Sequence, residues 1–276
     1  AAATAVAASP FLAVPPAVAD EPIKTVIVAG ATGQTGRRCL QRLASMNGVT
    51  AIGGVRDPAK AQKKLEESKI EVRGAMVEKG TAIDTSGVTL KGLDVEKSSL
   101  SDLTSTLQGV DGLVIALGFV PGNPFKMDAA AHAVDNVGTI ALIDAAKAAG
   151  VRKVVLVSSI LTDAQSWGQL NSPGYKITNA FGHVLEEKLV AEKHLRGAGM
   201  DWTIVRPGGL KAEAPTGALF VSGENTLNSG EISRDLVADV SVAALFDAKA
   251  SNAVVEIVES DKDGNAKTGI FNGLKM

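Results

Sequence analysis

Thr25-Val-Ile-Val-Ala-Gly-Ala-Thr-Gly-Gln-Thr-Gly-Arg37 is the stretch that decides the fold. Val26, Ile27 and Val28 make an apolar strand, and Gly30, Gly33 and Gly36 follow as G-x-x-G-x-x-G. Cys39, Leu40 and Leu43 then recur at helical spacing. Strand, glycine turn and helix in that order suit a bound pyrophosphate. The first glycine turns the chain, the second lets phosphate approach the backbone, and the third lets the helix pack closely on the strand. The helix start offers free N–H groups and about half a positive charge to an anion. Gly30, Thr32, Gly33, Gln34, Thr35 and Gly36 are therefore the candidate phosphate cradle.

Strands and helices alternate outward from that motif. Apolar strands are expected at residues 26–29, 49–55, 88–93, 112–117, 154–158, 203–205 and 254–258. Helical patterns cover about 34–46, 59–67, 99–107, 129–149, 181–197 and 233–248. Repeated βα units predict an α/β fold, a doubly wound parallel sheet of the Rossmann kind with helices on both faces. Ligand is then expected at the carboxyl ends of the strands, at the switch point. Residues 69–86 read as a polar, irregular insertion, and residues 211–230 as a long loop placed to cover substrate.

The strand ends supply the other candidate contacts. The second strand ends in Arg56, which favours NADP over NAD because a guanidinium grips a 2′-phosphate, and Arg37 and Arg38 can add to it. Asp57 reads as the cap of the helix beginning at Pro58. Asp94 can accept from an adenine amino group while Val95 covers the ring. Ala116, Leu117 and Gly118 let a ribose lie against the backbone, and Pro207 and Gly208 border the nicotinamide end.

Bulk properties narrow the function classes. The chain has 276 residues, which suits one large α/β domain at residues 23–260. A net charge of −2, with acids and bases mixed, gives no electrostatic reason to expect nucleic acid or an acidic membrane as partner. The single cysteine, Cys39, excludes an internal disulfide and reads as packing. His132, His183 and His194 are scattered, so no metal site is expected. Residues 1–19 carry no charge, and Pro10, Pro15 and Pro16 argue against a membrane-spanning helix. The tail, 1–22, reads as what remains after a transit peptide. Ala17-Val-Ala19 before Asp20 also resembles the cleavage site of a second sorting signal, and a third reading puts the tail on a protein partner. Residues 261–276 read as a loosely held carboxyl tail.

Together these pieces resemble the atypical short-chain dehydrogenase/reductases of the NmrA-like branch, from Lys24 to about Ser260. The markers are Gly30-Ala-Thr-Gly-Gln-Thr-Gly36, Val55-Arg-Asp57, Val137-Gly-Thr139, Val157-Ser-Ser159, Lys188-Leu-Val-Ala-Glu192, Thr203-Ile-Val-Arg-Pro-Gly-Gly-Leu210 and Ile232-Ser-Arg-Asp-Leu-Val-Ala-Asp-Val240. The combination is most similar to chloroplast members of plants and algae. The resemblance implies NADP as cofactor and a plastid location, in the stroma or at the thylakoid rather than in the lumen. It also implies two functions: a reductase of a small carbonyl or enone, or a catalytically silent NADP-binding subunit or assembly factor of a thylakoid or envelope complex.

The resemblance also implies a tyrosine that donates a proton and a lysine four residues later that lowers its pKa and holds the nicotinamide ribose. Lys188 occupies the lysine position, but Val184 stands four residues before it. Three substitutes are conceivable: Tyr175, the only tyrosine; His183, beside the vacant position; and Ser158 or Ser159 at a strand end. Lys188, Ser158 and Tyr175 are the catalytic candidates, with Lys188 and Ser158 also counted as cofactor contacts. Residues 211–250 are expected to form a small substrate region.

Overall fold

The computed structural model describes residues 21–67, 70–73, 76–79, 81–120, 122–260 and 269–272. The tail at 1–20 and most of 261–276 therefore lie outside the described residues. From the glycine motif, β1 (Thr25–Ala29) leads into α1 (Gln34–Ala44), then β2 (Thr50–Val55) and α2 (Pro58–Glu66). A small hairpin, β3 (Ile70–Arg73) and β4 (Met76–Lys79), precedes β5 (Val88–Gly92), α3 (Leu100–Leu107) and β6 (Gly112–Ile115). Next come α4 (Met127–Ala131), a π-helical stretch His132–Gly138, α5 (Thr139–Ala149) and β7 (Lys153–Val157). Then follow α6 (Pro173–Asn179), α7 (Val184–Gly197), β8 (Asp201–Pro207), β9 (Gly209–Lys211), β10 (Ala218–Ser222), β11 (Glu231–Ser233), α8 (Arg234–Phe246) and β12 (Ala253–Ser260).

The main sheet runs β10-β12-β8-β7-β6-β1-β2-β5, parallel except for β10 at its edge. The order reverses at β1, which pairs with β2 on one side and β6 on the other. That reversal opens a crevice at the carboxyl ends of these strands. Side-chain alternation along β1 feeds two cores. Val26 and Val28 pack with Cys39, Leu40, Leu43 and Val237 on the α1/α8 face. Ile27 and Ala29 pack with Leu103, Leu142 and Ile143 on the α3/α5 face. Burial of both faces is why the strand reads as a continuous apolar run. Cys39 is fully buried there, and burial pushes its thiol up to about 12, so it is packing material.

Local chemistry sets the helix starts. Asp57 accepts from the Lys60 amide at 3.2 Å and Pro58 opens α2, so the acid after Arg56 is a cap, as the sequence suggests. Ser99 and Asp102 close a capping box on α3.

The structure corrects several expectations. Residues 69–86 are not irregular throughout, because β3 and β4 pair antiparallel within them. The stretch 211–230 contains β10, whose short alternating Ala218-Leu-Phe-Val-Ser222 pairs antiparallel with β12. Ser172 accepts from the Tyr175 amide and Pro173 starts α6, so Tyr175 is helical. Helix α7 begins at Val184 rather than at residue 181, because Gly182 (φ +74°) and His183 (φ +52°) both adopt left-handed backbone. The carboxyl tail is anchored at least once: Phe271 is 3% exposed in the α1/α8 core. Among the described residues, no helix is long and apolar enough to cross a membrane.

Candidate functional site: a groove at the strand ends

The glycine turn is built as its spacing suggests. Gly30 has φ +79°, and a Cβ on it would lie 2.6 Å from the Ala116 carbonyl oxygen, so both the turn and the approach to β6 demand glycine. The Gly33 amide closes the turn onto the Gly30 carbonyl at 2.8 Å. At Gly36 a Cβ would stand 2.2 Å from the Gly30 oxygen, which fixes how closely α1 seats on the turn. Gly33 caps α1 without any side-chain acceptor, and the first turn of the helix carries no acid. The helix start thus keeps N–H groups and positive potential for an external anion.

Two residues assigned above to the 2′-phosphate do something else. Arg37 is 1% exposed and Arg38 is 4% exposed. Arg37 donates to the Thr81 carbonyl at 2.7 Å and to the Thr32 carbonyl at 3.0 Å, tying down the back of the glycine turn. Arg38 donates to the Gln34 carbonyl at 2.8 Å and the Ala212 carbonyl at 3.3 Å, and pairs with Asp235 at 3.4 Å. Both are buried cations beneath the cradle rather than arms over it. Two adjacent arginines in a helix register that faces the core were the available signal.

In front of the turn lies a groove of about 640 Å³. Gly30, Thr32 and Gly33 form its floor, and Val55 and Arg56 come from the end of β2. Leu93, Val95 and Glu96 follow β5, and Ala116, Leu117, Gly118 and Phe119 follow β6. Ala130 of α4 and Val134 of the π-helical stretch close the other side. Gln34, Thr35 and Gly36 sit behind the floor, in the buried first turn of α1. A wider depression of about 940 Å³ lies between α1 and α8, lined by Arg42, Met46, Asp239 and Phe246 among others. It has no glycine turn and no strand ends, whereas the smaller groove has both.

The remaining candidates divide around this groove. Arg56 reaches out at its mouth with 72% of its side chain exposed, 4.0 Å from Glu96. Asp94 is next to the groove but outside its lining, where one carboxylate oxygen accepts from the Glu96 amide at 3.1 Å. Pro207 and Gly208 are not at the groove. Gly208 is small because a Cβ would stand 2.5 Å from the Gly230 carbonyl oxygen, in the crossing that sets β9 beside β11.

Lys188 of α7 lies outside the groove's lining, where its ammonium stands 2.8 Å from Oδ1 of Asp135 as an ion pair. Oδ2 of Asp135 accepts from the Phe119 amide at 2.9 Å. A Cβ on Gly118 would lie 3.9 Å from Oδ1 of Asp135, so the Asp135–Lys188 pair backs the groove wall. The reading of the sequence missed Asp135. Its signal was an acid in an otherwise apolar helical run, and the widened π-helical turn carries it inward. Gly138 in the same turn admits Val95, since a Cβ would meet its methyl at 2.7 Å.

Tyr175, His183 and Ser158 are engaged elsewhere, and the donor's own position is filled by Val184. Val184 is 9% exposed and packs with Ala131, Leu161 and Leu185. The Tyr175 hydroxyl donates to Glu186 at 2.8 Å and accepts from Asn179 at 3.2 Å. Burial, with the Glu186 carboxylate beside it, pushes the phenol up to about 12, which makes it a poorer acid at neutral pH. His183 is not on the helix face; it precedes α7 with Nδ1 3.2 Å from Asp128. Ser158 donates to Glu192 at 2.5 Å, and Glu192 also holds Arg206 at 2.6 Å. Ser158 is thus a strut of a buried network beneath β8, with Glu192 and Arg206 both fully buried.

A doubly wound sheet with an uncapped helix start and a groove at its switch point defines a Rossmann-type dinucleotide-binding protein. The residues present fit such a nucleotide, since glycines stand wherever a Cβ would block the turn and no side chain of the helix's own cap neutralises the cradle. A family described as NAD(P)H-binding matches residues 30–248, and the chain belongs to that NAD(P)H-binding family. It is 41% identical over 249 residues to an uncharacterized chloroplastic protein of Arabidopsis thaliana, covering 87% of this chain and 79% of that one. It is 29% identical over 263 residues to the chloroplastic protein TIC 62 of Oryza sativa subsp. japonica, covering 92% of this chain. There it spans 49% of the relative, about half its length. The oxidoreductase ylbE from Lactococcus lactis shares the fold, with a TM-score of 0.66 at 18% identity over 87% of this chain and 92% of that one.

Proposed function

We propose that this protein is a chloroplast NADP-binding subunit, holding the dinucleotide in the strand-end groove without tyrosine-driven carbonyl reduction. The observation that carries the reading is Val184: an apolar, packed side chain stands where the proton donor belongs, four residues before Lys188. Tyr175 does not replace it, because its hydroxyl is spent on Glu186 and its pKa is raised rather than lowered. NADP is favoured over NAD by Arg56 at the end of β2, where a guanidinium suits a 2′-phosphate. The amides at the start of α1 would face the pyrophosphate, and Lys188, held by Asp135, would stand at the nicotinamide end. A bound nicotinamide would supply hydride chemistry, and the groove residues would bind and orient it, with Ala130 and Val134 closing one side. The chloroplast location is supported by the two relatives, both chloroplastic. A stromal or thylakoid-associated site agrees with a nicotinamide nucleotide being at hand.

A second reading, reduction of a small carbonyl or enone with another proton donor, is favoured by the Lys188–Asp135 pair, which holds a cation behind the groove wall at Gly118. Fluorescence titration with NADPH, followed by NADPH oxidation across a panel of carbonyls and enones, separates the two. The subunit reading expects saturable binding and no oxidation above the protein-free rate. Sustained oxidation of any panel member would replace it with the reductase reading.

A further inference from the structure

We propose that Glu96 is a specificity-determining residue of the groove, a resident counter-ion that weakens the hold of Arg56 on a 2′-phosphate. The inference rests on the reading of the groove as a nicotinamide dinucleotide site and names how that site chooses between nucleotides. Arg56 and Glu96 both line the groove. The Arg56 guanidinium stands 4.0 Å from Oε2 of Glu96, with the two side chains 72% and 41% exposed. The turn that presents Glu96 is fixed from behind: Asp94 accepts from its amide at 3.1 Å, and the Ser98 amide donates to the Asp94 carbonyl at 2.9 Å. Asp94 thus holds the turn that carries Glu96, whose carboxylate is the acid beside the Arg56 guanidinium.

A phosphate monoester carries a charge of about −2 near neutral pH. To reach Arg56 it must displace Glu96 from the guanidinium and then bear a carboxylate close by. A ribose 2′-hydroxyl pays neither cost and can donate to the same carboxylate. Glu96 offsets part of the Arg56 charge, so preference for NADP is moderated rather than absolute. Exposed pairs of this kind are worth up to about a fivefold change in an equilibrium.

The test uses the full chain and its Glu96→Gln variant, titrated with NADPH, NADH, 2′,5′-ADP and 5′-AMP, with circular dichroism to confirm the fold. Glu96→Gln is expected to tighten NADPH and 2′,5′-ADP about three- to fivefold while NADH and 5′-AMP change less than about twofold. The gain is expected to shrink as salt is raised from about 0.05 to 0.5 M, because exposed charges are screened. A merely structural Glu96 would not produce that salt dependence. An NADPH-to-NADH ratio unchanged within about twofold in Glu96→Gln, while Arg56→Ala abolishes the ratio, would overturn the role of Glu96 and leave the groove reading intact. Failure of the unaltered chain to bind any of the four probes would overturn both.

Discussion

Replacing Gly33 by alanine separates folding from binding. Gly33 has φ −71° and ψ 165°, backbone that alanine adopts without strain. The new Cβ would lie 3.1 Å from the Gly30 carbonyl oxygen, a contact relieved by a shift of a few tenths of an ångström. That crowding opposes the gain of roughly 0.4–1 kcal/mol from stiffening the unfolded chain. Net stability should stay within about 1 kcal/mol, or roughly 4 °C in melting temperature for a chain of this size. The methyl, however, stands on the floor of the groove, where pyrophosphate must meet the amides. NADPH affinity should fall at least about tenfold, a cost of about 1.4 kcal/mol. Gly36→Ala is the contrast: its Cβ would be 2.2 Å from the Gly30 oxygen, so it should lose folding along with binding. Thermal melts and fluorescence titration of both variants make the comparison. A Gly33→Ala protein that melts normally and binds NADPH as tightly as the parent would refute the placement of the phosphates.

Three further outcomes are expected. The only tyrosine, Tyr175, should ionise near pH 12 in the folded protein, read as tyrosinate absorbance; a midpoint near 10 would remove the Glu186 contact from the account. Because the folded state holds that proton more tightly than the unfolded chain does, Tyr175 stabilises below pH 10 and that contribution fades between 10 and 12. Glu259 behaves in the opposite sense. Lys211 and the amides of Ser233, Thr216 and Gly217 overcome its burial and hold its carboxyl at about 2. Its contribution is full above its ordinary value of 4.5 and is lost as pH falls toward 2. Glu259→Gln should therefore be less stable at pH 7 and show a flatter loss in acid, read by denaturant melts; an unchanged acid limb would count against the clamp. Phe271→Ala should cost about 3–5 kcal/mol, read by the same melts, because a fully packed ring leaves a cavity. A loss below about 1 kcal/mol would mean that the carboxyl segment does not complete the α1/α8 core.

The glycine turn was legible because it depends on local chemistry: a strand, three glycines and an amphipathic helix are contiguous in the chain. The parallel sheet followed from the alternation of apolar runs with helical spacing, and Asp57 from its place before a proline. What escaped the sequence were properties set by distant partners. Arg37 and Arg38 look like free cations until Thr81 and Ala212 are brought to them. Ser158 looks available until Glu192 arrives from α7, and Gly208 looks like a ligand approach until the Gly230 backbone crosses it. Asp135 was hidden because ordinary helical periodicity does not anticipate a widened turn. Strand β10 was missed because a short edge strand inside a polar connection carries little periodic signal of its own.

The central claim is that the dinucleotide lies at the start of α1 and across the ends of β1, β2 and β6. Amide chemical-shift mapping of the labelled chain during NADPH titration tests it most directly. The expected result is saturable shifts at Gly30, Thr32, Gly33, Gln34, Arg56, Gly118 and Phe119, with Met46 and Phe246 silent. Shifts gathered instead at the α1/α8 depression, or none at the glycine turn at saturating nucleotide, would contradict it.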